Sequence, residues 1–109
     1  MPIANLTDSE KVVIHACLEC VVSGEIILHN WEFHPIMGIS VKELKTVLEA
    51  WPDVNDSDDI VQVAINNSMN NLIHFPHGHH GRWLGFLGFS REEVTRVFAK
   101  WREGFELAD

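Results

Sequence analysis

Four imidazoles crowd one short stretch of the chain, His74, His77, His79 and His80, among Pro76, Gly78 and Gly81. Neutral imidazole is the commonest protein ligand for Zn²⁺, Ni²⁺ and Cu²⁺, so the stretch is a candidate divalent-metal site. It lacks the fixed Cys/His spacing of a structural zinc site, and a Gly- and Pro-rich loop holds donors in no set geometry. A solvated loop is therefore the expectation ahead of a metal, and no other cofactor is implied. Just upstream, Gln62, Asn66, Asn67, Asn70 and Asn71 bring five amides together, and between Asp59 and Arg82 only the histidines can carry charge. Asparagine is a mediocre helix former, so a row of them needs a reason. Either the amides bond within the fold, as buried polar groups normally do, or they form a charge-depleted contact surface for a protein partner or a second copy of the chain. Cys17 and Cys20 lie three apart in a helical stretch. There they read as small buried thiols, since a redox pair needs a strand before it and a helix N-terminus beneath it.

For catalysis the chain offers no recognisable framework. It has no G-x-S-x-G elbow, no phosphate loop and no H-E-x-x-H, and the glycines from Gly81 to Gly88 lack the strand context of a dinucleotide fingerprint. A non-enzymatic role is the expectation. With 109 residues, 46% hydrophobic and 22% charged, the sequence suits one globular domain over residues 1–109 whose core needs neither metal nor disulfide. A formal net charge of −8 works against nucleic acid at long range. No apolar run is long enough to cross a bilayer, and Met1 to Asn5 lack the cationic start of a signal peptide. No membrane association and a cytoplasmic location are expected.

The elements that must position these residues are helices, and one pattern occurs twice. Gly38-Ile39-Ser40, followed by Glu43, Leu44, Val47 and Trp51, returns fifty residues later as Gly88-Phe89-Ser90, followed by Glu93, Val94, Val97 and Trp101. Ser40 with Glu43, and Ser90 with Glu93, have capping-box spacing, and the preceding glycines suit a left-handed residue that ends an earlier helix. Thr7 with Glu10 makes a third capping box, opening a helix to about Val22 that is apolar nearly all round except at His15, Glu19 and Ser23. A brief helix is expected from an Asn30 cap through Phe33 to Met37, bent by Pro35, and a long one from about Asp58 to Ile73. The fold class expected is all-α: a compact bundle of about six helices, internally duplicated. Unit A spans about residues 7–52 and unit B about residues 57–103, with pseudo-two-fold symmetry and the long helices at the centre. Trp51 and Trp101 would be symmetric anchors.

Residues 33 to 51 and 83 to 101 resemble the helix-turn-helix pattern. In such readers the second helix enters the major groove, which implies Arg91, Thr95, Arg96 and Lys100 as the nucleic-acid-facing residues of the second copy. Against this, helix, glycine turn and capped helix is also a cheap way to turn a corner, and the acidic balance opposes phosphate contacts. The leading expectation is thus a protein-interaction role, with the partner or a homodimer mate bound at Gln62, Asn66, Asn67, Asn70 and Asn71. A DNA-associated regulator is second. An accessory protein binding a divalent metal through His74 to His80 is third.

Overall fold

Three capping motifs determine where helices begin. In the computed structural model, which describes residues 6–24, 29, 33–74 and 88–106 (the last three for the backbone alone), α1 spans Asp8–Ser23 and α2 Phe33–Met37. Helix α3 spans Val41–Ala50, α4 Asp59–His74 and α5 Arg91–Glu106. The described residues contain no strand. At α1 the Thr7 hydroxyl accepts from the Glu10 amide at 3.2 Å while the Thr7 amide donates to the Glu10 carboxylate at 2.8 Å. Ser40 and Glu43 repeat the arrangement at α3, at 3.1 and 2.9 Å. At α5 only half of the box forms: Ser90 accepts from the Glu93 amide at 3.1 Å, while the Glu93 carboxylate turns to Arg96.

Helices α1 and α4 form the centre, and their mutual contact is the most extensive in the structure. Each is too apolar around its circumference to face water on more than a strip, which is why both are covered on several sides. Val13, Ile14, Cys17, Leu18 and Val21 of α1 are buried, as are Val61, Ile65, Met69, Leu72 and Ile73 of α4. Each fully buried leucine or isoleucine contributes roughly 1.5–3 kcal/mol relative to exposure. The buried small residues Cys17, Cys20, Ala64 and Ser68 lie on this central pair. Helix α3 packs on α1 and α5 on α4, and each also touches the other central helix. Helix α2 lies against α4. The Cα radius of gyration is 12.9 Å, and a compact chain of this length has about 13 Å. The counterpart of α2 expected in the second unit falls at residues 83–87, outside the described residues.

The two repeated stretches share their glycine turns and serine caps and differ in their ends. Gly38 and Gly88 both adopt the left-handed conformation, with φ of 73° and 76°, as the tight turn before each Ser cap requires. Trp51, however, caps the end of α3, half-buried, with its indole Nε1 donating to the Lys11 carbonyl of α1 at 3.2 Å. Trp101 lies within α5, buried, its ring stacked near Phe98. The reason is the next residue: Pro52 has no N–H with which to extend α3, whereas Arg102 extends α5.

Candidate functional site

The amide row of α4 faces inward along much of its length. Asn67 Nδ2 donates to the Met37 carbonyl at 2.8 Å, and Asn71 Nδ2 donates to the Ile36 carbonyl at 3.2 Å and the Asn67 carbonyl at 2.7 Å. These two side chains, one turn apart, satisfy carbonyls that five-residue α2 leaves unpaired at its C-terminus. Asn66 donates to Asn67 Oδ1 at 3.0 Å, and Gln62 donates to the Asp56 carbonyl at 2.9 Å, fastening the connection that precedes α4. Asn70 is half-buried, and its amide bonds to no described residue. The missing charges along this stretch also have a structural cause. Helix α4 packs against all four other described helices, and a charge on it would be desolvated.

The candidate metal ligands are separated by the limits of the description: His74 ends α4, exposed, and His77, His79 and His80 lie outside the described residues. The candidate nucleic-acid row is described in full. Arg96 Nη1 donates to the buried Glu10 carboxylate at 2.9 Å and Nη2 to Glu93 at 2.9 Å, and Lys100 Nζ reaches Glu10 at 2.7 Å. Lys100, the Thr7 amide and Arg96 together hold the Glu10 carboxyl far below its ordinary value, at about 2. Its bonds to Glu93 and then to Glu10 hold the Arg96 guanidinium more firmly protonated. Two of the four residues thus meet local counter-charges and tie the start of α1 to α5. Arg91 donates to the Ile73 carbonyl at 3.3 Å, a cation at the negative end of α4. Thr95 is exposed. The fold brings His74, Arg91, Thr95 and Arg96 to one open cleft of about 530 Å³ between the end of α4 and α5, with Glu92 beside them.

A second cleft lies where the sequence reading placed no candidate. Where α3 ends and the chain turns into α4, a depression of about 330 Å³ has Val47, Ala50, Val54, Ile60 and Val61 in its lining, with Glu43, Asp53 and Asp58 among its polar groups. The walls are tied locally. Asp53 N donates to the Ala50 carbonyl at 2.8 Å and Asp58 N to the Asn55 carbonyl at 3.0 Å, while Ser57 N donates to Asn55 Oδ1 at 3.0 Å. Asp58 Oδ1 accepts from Ile60 N at 2.9 Å, which fixes the first turn of α4. Backbone and hydroxyl bonds from Ser40 lower the Glu43 pKa, keeping that carboxylate ionised. Ile60 and Val12 are exposed large hydrophobic residues, and Val12 lines a neighbouring depression of about 270 Å³ with Trp51 and Pro52. One signal was available: between Pro52 and Ile60, Val54 and Ile60 are the only apolar side chains in an acidic and polar run.

Comparison of the chain with protein-family models, with curated proteins and with solved structures gives no match.

Proposed function

We propose that this chain is a non-enzymatic protein-interaction domain whose contact surface is the cleft at the end of α3. The observation that carries the reading is the exposed Ile60 beside a preformed depression lined by Val47, Ala50 and Val54. Contact surfaces concentrate their affinity in a few apolar anchors seated in such pockets. Several of the polar and ionisable groups that drew attention in the sequence are occupied with holding the fold. Asn67 and Asn71 cap α2, and Glu10 gathers Arg96 and Lys100. Glu43 caps α3, and Cys17 is buried, which pushes its thiol pKa up and away from the reactive thiolate. In this reading the amide row of α4 is the frame of the domain.

The duplicated origin of the fold belongs to the same proposal. It is supported by the matching glycine conformations at Gly38 and Gly88, and by the way α1 packs with α3 as α4 packs with α5.

The test is selection from a displayed random peptide library on the immobilised full chain, with Ile60→Asp as the comparison. An acidic residue in the first turn of a helix is favourable, so this variant keeps its fold. Recovered peptides are expected to bind the Asp variant about tenfold or more weakly. Equal binding to both proteins, or no recovery above background, overturns the proposal.

A further inference from the structure

The chemistry of the occupant can be read from the rim of the cleft. Glu43, Asp53 and Asp58 line it, and among the described residues no lysine or arginine does. Two of the three are fixed in place by bonds to Ser40 and Ile60, each through one carboxylate oxygen, and the Asp53 side chain bonds to no described residue. Each carboxylate therefore keeps an oxygen able to accept from an incoming donor. Covering three carboxylates with neutral surface would desolvate them without compensation, so whatever seats in the apolar depression must bring cations to its edge. At about 330 Å³ the depression is small for a ligand site. It suits one or two apolar side chains of a larger molecule. A second copy of this chain carries the same net charge of −8 and is repelled.

Resting on the reading of this cleft as the contact surface, we infer that its partner is a basic protein segment, an apolar anchor flanked by lysine or arginine. The anchor enters between Val47, Val54 and Ile60, and the flanking cations meet Glu43, Asp53 and Asp58.

The experiment uses the full chain and two fluorescein-labelled synthetic peptides, each a leucine pair flanked on both sides by lysines in one and glutamates in the other. Fluorescence anisotropy is measured for the unmodified chain, Asp53→Lys and Glu19→Lys. Glu19 is exposed on α1 and paired with His15 at 2.8 Å, away from the cleft lining, so its variant makes the same charge change elsewhere. The lysine peptide is expected to bind the unmodified chain about tenfold more tightly than Asp53→Lys, with Glu19→Lys within about twofold of the unmodified chain. Raising salt from about 50 to about 500 mM weakens it severalfold, and the glutamate peptide does not bind. Equal weakening by both variants, equal binding of both peptides, or no binding of the lysine peptide overturns the inference. So does sedimentation of a dimer that Ile60→Asp dissociates, which would seat a second copy in the cleft. If library peptides discriminate against Ile60→Asp but carry acidic flanks, the cleft stands as the contact surface and only the basic partner falls.

Discussion

Replacing Asn67 with leucine, a side chain of nearly the same size, asks whether the amides of α4 hold the fold together or wait for a partner. The 2.8 Å bond from Asn67 Nδ2 to the Met37 carbonyl is lost, at a cost of about 1 kcal/mol. The carbonyl of buried Met37, left without its donor, adds about 1–2 kcal/mol. Leucine is the better helix former and returns about 0.4 kcal/mol. The expected net loss is about 2 kcal/mol, which at a urea slope of about 1.5 kcal/mol per molar lowers the unfolding midpoint by about 1.3 M. Asn71→Leu, which removes the 3.2 Å bond to the Ile36 carbonyl, is expected to act in the same direction. Asn70→Leu breaks no bond to a described residue and should leave the midpoint unchanged or slightly raised. Urea unfolding followed by far-ultraviolet circular dichroism measures all three. Losses below about 0.5 kcal/mol for both Asn67 and Asn71 would refute the reasoning, because such values are those of free surface side chains.

The two left-handed glycines give a second comparison. A Cβ on Gly38 would lie 3.2 Å from Asn67 Nδ2 and 3.3 Å from Val63 Cγ1, whereas one on Gly88 meets no atom of the described residues within 4 Å. Gly88→Ala is expected to cost about 1 kcal/mol for the conformation alone, and Gly38→Ala about 2 kcal/mol; equal losses by urea unfolding would contradict the crowding. Ser68 is fully buried, and its hydroxyl has no hydrogen-bond partner among the described residues, so Ser68→Ala is expected to stabilise the fold by about 0.5–1 kcal/mol; a clear loss in the same assay would mean that the hydroxyl is bonded. Glu10 titrates at about 2 in the folded chain against an ordinary 4.5. A depressed carboxyl stabilises fully above its unfolded value and less as pH falls. The unmodified chain should therefore lose stability between about pH 4.5 and 2 more steeply than Glu10→Gln, with parallel urea midpoints across that range as the contrary result.

Local chemistry was legible in the sequence and distant chemistry was not. The starts of α1 and α3 could be read because Thr7 with Glu10 and Ser40 with Glu43 act across three residues. The all-helical fold followed from the spacing of apolar residues. The partners of the amides lie 30 and 35 residues away. The counter-charges shared by Glu10 with Arg96 and Lys100 lie 86 and 90 residues away. No spacing rule reaches that far. Charge depletion along α4 suggested a contact surface, but the centre of a bundle excludes charge for the same desolvation reason, and composition cannot tell the two apart. Trp51 and Trp101 aligned well and still diverged, because a single proline after the first of them ends its helix. The cleft depends on the path of the chain around Asp53, and a path is a tertiary property. In the sequence it left only Val54 and Ile60 standing among acidic neighbours.

The most direct measurement is a methyl- and amide-resolved NMR titration of the full chain with a peptide recovered from the library selection. The cleft account expects the largest shifts at the methyls of Val47, Val54 and Ile60, with the side-chain amides of Asn67 and Asn71 unmoved. Shifts concentrated on Asn66, Asn67, Asn70 and Asn71, with those three methyls silent, would contradict it and return the contact surface to α4.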